Sequence, residues 1–256
     1  MKDLLVVILC YAGDVDQVQY QLGSYTHHDA SVLLLSPEDA PAVIDHPQMT
    51  NHSAGLSGWK GPHVAFKLMD HWRIMLEHPQ NWFLVHEPDS VCLSSELPSE
   101  ILGREDVLWS MALGEPNQPF TNYNAPWFGH RNVFEMMLRE AEEHVEEWND
   151  AWGAAESSDG QPGEGMGNSE MISTVLHSLS THSKFDEEWL RGHPPLTLPI
   201  EERVVSGGRL PRSVWAYQEN DPQMLLRATR EGAWFVTGIK TTELYDQLLL
   251  AHEGAP

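Results

Sequence analysis

Unbroken apolar runs alternate with amphipathic stretches along the first half of the chain. Leu4-Leu-Val-Val-Ile-Leu-Cys10 has no polar alternate, the pattern of a parallel strand buried on both faces. It ends in a turn, Tyr11-Ala-Gly-Asp14. Val15 to Tyr25 places Val15, Val18 and Leu22 on one side of a helix, and Ala30-Ser-Val-Leu-Leu-Leu35 is a second strand, so the chain opens as a β-α-β unit. Ser36-Pro-Glu-Asp-Ala-Pro41 breaks that strand with two prolines and two acids. Residues 42 to 61 carry neither period and are expected to be irregular, ending in the glycine-rich turn Gly55-Leu-Ser-Gly-Trp-Lys-Gly-Pro62. Val64, Ala65, Leu68, Met69, Trp72, Met75 and Leu76 then mark one face of a helix at steps of three and four, with Pro62 at its start and Pro79 past its end. Trp82 to Val85 is a third strand.

Beyond it, Val107 to Leu113 reads as a strand and Asn117 to Gly129, rich in Asn, Pro and aromatics, as a loop. A long helix follows, with Val133, Phe134, Met137, Leu138, Ala141, Val145 and Trp148 inward and six glutamates between 135 and 147 outward on a solvated face. Residues 153 to 168, dominated by Gly, Ser and acids, cannot contribute to a core and predict a mobile loop. Glu170 to His182 is a helix, and the sequence to Arg212 is irregular. A helix capped by Asp221 with Pro222 at its first position and Gly232 at its end comes next, then a strand from Ala233 to Ile239 and a helix from Thr242 to His252. Strands alternating with helices predict an α/β fold, a mostly parallel sheet flanked by helices, in a single domain spanning 1-256.

Composition narrows the classes. Thirty-eight acids against 15 Lys plus Arg give a net charge of −23, a field that repels nucleic acid and anionic membranes at long range without forbidding a local basic cleft. Arg191, Arg203, Arg209 and Arg212 are the candidates for such a cleft. No apolar run reaches the roughly 18 to 20 residues of a membrane span, and Leu4 to Cys10 lacks the length of a signal peptide. These features predict a soluble cytoplasmic protein with no membrane partner. The two cysteines, Cys10 and Cys92, lie inside apolar runs, which predicts buried thiols. Fourteen histidines raise the prospect of zinc chemistry, but no His-Glu-x-x-His occurs and His27-His28-Asp29 falls where a polar turn is expected. His130 could touch an acceptor, or cap and pack.

The most informative chemistry lies in Asn81-Trp-Phe-Leu-Val-His-Glu-Pro-Asp-Ser-Val-Cys-Leu93, an apolar run that stops at two acids, Glu87 and Asp89, before apolar sequence resumes. A buried strand delivers carboxylates to a metal in this way. Mg²⁺ and Mn²⁺ want oxygen ligands, and when a nucleotide diphosphate supplies most of them one or two protein carboxylates complete the set. In a parallel sheet ligands bind outside the carboxyl ends of the strands. Tyr11-Ala-Gly-Asp14, Ser36-Pro-Glu-Asp39 and His86-Glu-Pro-Asp89 all fall on that edge.

This order of parts resembles the GT-A glycosyltransferases, nucleotide-sugar-dependent enzymes with a Rossmann-like half and an Asp-x-Asp-type metal motif. The resemblance covers residues 4 to 113 well and the remainder loosely, implying a nucleotide-sugar-binding half over 1-113 and an acceptor half over 114-256. It implies that Ala12, Gly13, Asp14, Ser36 and Glu38 surround base and ribose, that Lys60 and Lys67 face the diphosphate or the sugar, and that His86 and Lys240 also belong to the donor site. By the same resemblance Glu87 and Asp89 take the metal-binding place, with Asp89 the direct ligand of Mn²⁺ or Mg²⁺, and the donor is a nucleotide sugar such as a UDP-sugar. Phe235-Val-Thr-Gly-Ile-Lys240 carries the lysine that many members have near the C-terminus, without the metal-binding histidine that precedes it there. The wording of Ser36-Pro-Glu-Asp39 and His86 to Pro98 is also similar to small phage proteins of this kind, some of which modify hydroxymethylated pyrimidines in DNA. That likeness implies modified DNA as acceptor and a host-cell cytoplasmic location.

An inverting transfer needs a carboxylate to deprotonate the acceptor hydroxyl. Glu170, which starts a helix after the expected mobile loop, is the candidate base. Two rival readings are a sugar nucleotidyltransferase, disfavoured because Tyr11-Ala-Gly-Asp14 carries no basic residue, and a noncatalytic protein of the same fold that binds a partner through its acidic surface.

Overall fold

The structure is a computed structural model, and it describes residues 3–26, 30–58, 61–93, 99–113, 122–154, 167–181, 206–210, 213–215, 222–239 and 241–253. Strands β1 (Leu4–Leu9), β2 (Ser31–Ser36) and β4 (Trp82–His86) form where the apolar runs predict them, joined through helices α1 (Val15–Thr26) and α2 (Pro62–Glu77). A parallel strand in mid-sheet has two faces to bury, and β1 shows both. Leu5 and Val7 enter one core with α2, and Leu4, Val6 and Ile8 enter a second core with Val18 and Leu22 of α1.

The main sheet has seven strands in the order β3-β2-β1-β4-β7-β6-β8, where β3 is Met49–Ser53, β6 Val107–Leu113, β7 Asn122–His130 and β8 Ser206–Arg209. All point the same way except β7, which runs antiparallel to both β4 and β6. The sheet is therefore mixed and mostly parallel, with helices on both faces. Helices α4 (Arg131–Ala154) and α5 (Asn168–Thr181) join α2 over one face. The glutamates of α4 are on its outer side, as expected, except Glu140, which is half-buried and accepts a hydrogen bond from Ser178.

Three expectations of irregular sequence are corrected. Met49–Ser53 is the edge strand β3, paired parallel with β2. Its polar, half-exposed residues offer no apolar signal because only one neighbour and little core meet them. Ser206–Arg209 is the edge strand β8, whose Ser-Gly-Gly-Arg sequence is equally silent. Asn122–His130 is an interior strand, not a loop. Its Pro126 argued against a central strand because proline cannot donate to the ladder. The structure resolves this with an irregularity: Trp127 pairs with Ser110 and Asn124 with Met111, so Ala125 and Pro126 drop out of the register. Strand β7 is inserted between β4 and β6, so residues on both sides of 113 build one sheet.

A second sheet of three short strands, β5 (Ser90–Cys92), β10 (Phe235–Thr237) and β9 (Ser213–Trp215), follows directly from the loop after β4. Helices α6 (Pro222–Arg230) and α7 (Thr242–Glu253) cover it through Leu225, Tyr245 and Leu248, and Trp234 and Phe235 join it to the core under α1. A one-turn helix, α3 (Ser99–Leu102), adds Ile101 there. Gly232 has φ +92° at the end of α6, the left-handed stop the sequence predicts. Cys10 and Cys92 are both buried thiols outside any disulfide, as expected. The mobile loop expected over 153 to 168 lies outside the described residues for 155 to 166; its first two residues finish α4 and its last two lead into α5. No helix among the described residues is long and apolar enough to cross a membrane.

Candidate functional site

Strand order reverses between β1 and β4. From β1 the chain moves outward to β2 and β3, then returns to place β4 on the other side of β1. Loops leaving the carboxyl ends of two such strands diverge and leave a crevice between them. A cavity of about 210 Å³ lies there. Its walls come from the β1 end (Leu9, Cys10, Tyr11, Asp14), from Gln17 of α1, from the β2 end (Leu35, Ser36, Pro37), from Lys67 and His71 of α2, from the loop Glu87-Pro88-Asp89 and from Asn168 at the start of α5.

Of the residues singled out in the sequence, Asp14, Ser36, Lys67, Glu87 and Asp89 line this cavity together. Ala12 and Gly13 form the short 3₁₀ turn ahead of α1 and do not line it; nor does Glu38, whose amide donates to the Gly55 carbonyl at 2.8 Å. His86 is fully buried behind the acidic loop, where its Nδ1–H donates to the Glu87 carbonyl at 2.7 Å and its ring meets Phe235 edge-on. Burial pushes its pKa down to about 4, so it is a neutral buttress at neutral pH. Glu170 is half-buried in the first turn of α5, two residues past the cavity-lining Asn168. Lys60 and Lys240 lie outside the described residues, as do Arg191, Arg203, Arg212 and the His27-His28-Asp29 turn. His130 is at the opposite edge of the sheet, paired with Trp82 at the start of β4, and its Nδ1 accepts from the Asn132 amide. It caps α4 and has no access to the cavity.

The acidic loop is held from behind by the C-terminal strand. Ile239 N–H donates to the Asp89 carbonyl at 2.8 Å, the Ser90 and Thr237 hydroxyls are 2.7 Å apart, and Gln17 Nε2 reaches the Ile239 carbonyl at 3.2 Å. Asp89 itself is 9% exposed. At the β1 end, the Tyr11 amide donates to Asp14 at 3.2 Å, which fixes the turn. The Tyr11 phenol titrates above its ordinary value because it is partly buried and faces the charges of Glu87, Asp14 and Asp39. Cys10 donates to the Tyr11 carbonyl, and burial with the Asp14 charge pushes its thiol up to about 12, which removes it as a nucleophile.

The α2 wall has a different character. Lys67 is 4% exposed, its Nζ donates to the Gly58 carbonyl at 2.8 Å, and burial lowers its pKa. The Gly55–Gly58 turn that supplies that carbonyl is pinned by Asp39, which accepts from the Ser57 amide at 2.7 Å and the Ser57 hydroxyl at 2.6 Å; these bonds hold its carboxyl below the usual range. His71, one helical turn from Lys67, is 6% exposed, and neither ring nitrogen has a hydrogen-bond partner among the described residues. Burial first, and the Lys67 charge second, push it down to about 4, while a hydrogen-bonding contact with the Ala54 backbone, too loose to count as a formed bond, acts the other way. His71, Tyr11, Gln17 and Asn168 were not singled out from the sequence. His71 had a signal: it falls beside Val64 and Met75 on the apolar face of its helix.

The cavity thus offers three carboxylates, Asp14, Glu87 and Asp89, and one lysine. Among the described residues no group of three His, Cys, Asp or Glu side chains could hold a metal ion by itself. Two carboxylates, Glu87 and Asp89, could supply at most part of a hard cation's oxygen set, the remainder having to come from a ligand and from water. No protein-family model matches this chain, and no curated protein matches it significantly.

Proposed function

We propose that the cavity between β1 and β4 is the donor site of a nucleotide-sugar-dependent glycosyltransferase. The observation that carries this reading is the position of Glu87 and Asp89 at the carboxyl end of β4, on the wall of a crevice where the strand order reverses. Charge balance favours a metal-linked ligand: a bare diphosphate would meet more carboxylates than cations in this cavity. A divalent ion held by Asp89 and Glu87 would offset the charge developing on the leaving diphosphate. The apolar floor of Leu9, Leu35 and Pro37 suits a flat base, with Asp14 and Ser36 at its edge. In Ser36 the hydroxyl already meets Ser53 Oγ at 3.1 Å, so the ligand would meet the rest of that residue. Glu170 would take the acceptor hydroxyl's proton as that oxygen attacks the anomeric carbon. The acceptor proposed is hydroxymethylpyrimidine in DNA, on the likeness of Ser36-Pro-Glu-Asp39 and His86 to Pro98 to phage proteins of this kind.

A thermal-shift screen of nucleoside diphosphates and nucleotide sugars, each with and without Mn²⁺, tests the donor site, because a ligand bound only by the native state raises its melting temperature. A metal-dependent rise for one nucleotide is the expected outcome. Absence of any rise across the panel would sink the reading. With the donor known, incubation with hydroxymethylated and unmodified DNA tests the acceptor by mass.

A further inference from the structure

A lysine ammonium withdrawn from water needs an anionic partner or a full set of acceptors, because desolvation otherwise costs more than one hydrogen bond returns. Lys67 has neither among the described residues: at 4% exposure it makes one hydrogen bond, to the neutral Gly58 carbonyl. The carboxylate whose charge acts on it is Asp39, which is already engaged by two hydrogen bonds from Ser57. One turn along α2, on the same cavity wall, His71 is 6% exposed, and neither ring nitrogen makes a close hydrogen bond among the described residues, the Ala54 backbone offering only a looser contact. Residues four apart on a helix are neighbours, about 5–6 Å between Cβ atoms, a spacing that one tetrahedral oxyanion can bridge. A neutral imidazole still carries one N–H, and rotation about Cβ–Cγ can turn it toward the cavity.

We infer that Lys67 and His71 form an oxyanion site in the α2 wall of the cavity, and that its ligand is a phosphoryl group. The choice of phosphoryl rests on the donor-site reading above; the oxyanion site itself rests on the two buried side chains. It separates the cavity into a wall that takes negative oxygen and a loop, Glu87 to Asp89, that takes a cation. The ammonium exchanges its contact with the Gly58 carbonyl for the phosphoryl oxygens, so occupancy also loosens the Gly55–Gly58 turn.

The test is titration of the full chain with pyrophosphate in EDTA, with sulfate as the control at matched ionic strength, followed by calorimetry and by the ¹⁵N signals of the His71 imidazole. Saturable pyrophosphate binding, weaker in EDTA than with Mg²⁺ because three carboxylates share the cavity, a moved His71 signal, and a loss of about tenfold or more in affinity in Lys67→Met are expected, since charge-assisted hydrogen bonds are among the strong ones. Lys67→Met should also melt no lower than the parent, because an isosteric apolar residue replaces an uncompensated charge; a melting temperature that falls would show a merely structural lysine and overturn the inference. Unmoved His71 signals, equal binding of sulfate, or unchanged pyrophosphate affinity in Lys67→Met would each overturn it too. If Lys67→Met leaves pyrophosphate binding intact while a nucleotide with Mn²⁺ still raises the melting temperature, the oxyanion site fails and the donor-site reading stands. If Lys67→Met abolishes pyrophosphate binding and no nucleotide acts with Mn²⁺, the oxyanion site stands and the donor-site reading fails.

Discussion

The hydroxyls of Ser90 and Thr237 meet at 2.7 Å in the interior, 147 residues apart in sequence. Ser90 directly follows Asp89, and Thr237 lies two residues before Ile239, whose amide holds the Asp89 carbonyl. The C-terminal strand thereby fixes the acidic loop at the mouth of the cavity. Ser90→Ala leaves the Thr237 hydroxyl buried without this partner and should cost about 1–3 kcal/mol. The double variant Ser90→Ala/Thr237→Val removes both polar groups and should recover part of that loss in urea unfolding. A double variant no more stable than the sum of the two single changes would show that the pair is not coupled.

Asp89→Asn keeps the size of the side chain and removes its charge. The fold should persist, measured by an unchanged far-ultraviolet spectrum, while the metal-dependent part of any nucleotide-induced melting shift disappears and transfer stops. An undiminished Mn²⁺ effect in this variant would remove Asp89 as a metal ligand.

Much of the architecture was legible because the strands that form the middle of the sheet announce themselves. Leu4 to Ile8, Leu33 to Leu35 and Phe83 to Val85 are buried on both faces, so every position is apolar and the pattern stands out. Edge strands give no such signal. Met49–Ser53 and Ser206–Arg209 are specified by backbone pairing to β2 and β6, a contact that side-chain pattern does not encode. Asn122–His130 was hidden by Pro126, tolerated where the register skips. Around the cavity, the ends of β1, β2 and β4 located Asp14, Ser36, Glu87 and Asp89, while Lys67 was pointed to only by the resemblance to GT-A glycosyltransferases, and Ala12, Gly13 and Glu38 of the same loops do not line it. Gln17 and Asn168 join the cavity through packing of α1 and α5 against the strand ends, which only the folded chain reveals.

Arg131 joins β7 to α4, and its guanidinium collects the free carbonyls at the end of α2. It donates to Leu76 at 2.9 Å, to Gln80 at 3.0 Å and to His78, and lies 5.4 Å from the Phe83 ring centre. The last carbonyls of a helix have no partners within it. Arg131→Met should therefore cost about 2–3 kcal/mol, given that hydrogen bonds to charged groups are worth about 1.5–3. Urea denaturation with an unchanged slope and a lower midpoint is the expected result; a midpoint equal to the parent's would show that water satisfies these carbonyls equally well.

His71 and His86 are neutral in the folded chain down to about pH 4, against an ordinary value of 6.5. Between those limits the unfolded chain binds protons that the folded chain refuses, so stability falls as pH drops from 6.5 toward 4. Each histidine can contribute roughly 3 kcal/mol to that loss by the lower limit, at 1.36 kcal/mol per unit. His86→Asn, whose amide can replace Nδ1–H as donor to the Glu87 carbonyl, should flatten the dependence measured by urea unfolding across this range. An equally steep profile in both His86→Asn and His71→Gln would assign the acid sensitivity to other groups.

Gly55 links the β3 side of the fold to the α2 wall. Its φ is +69°, and a Cβ placed there would lie 2.7 Å from both Cβ and Cγ of Lys67. Neither of those atoms is the free end of a flexible chain, so α2 or the turn has to shift. Gly55→Ala combines a left-handed backbone, about 1–2 kcal/mol, with overpacking of about 1–3 kcal/mol. A loss of roughly 2–5 kcal/mol is expected from these two terms. Because the displaced side chain is the cavity lysine, ligand affinity should fall further than in Arg131→Met, whose site is remote from the cavity. Comparing nucleotide affinity in the two variants at a temperature where both remain folded separates the local effect from general destabilisation. Equal affinities would mean that the turn adjusts without moving Lys67.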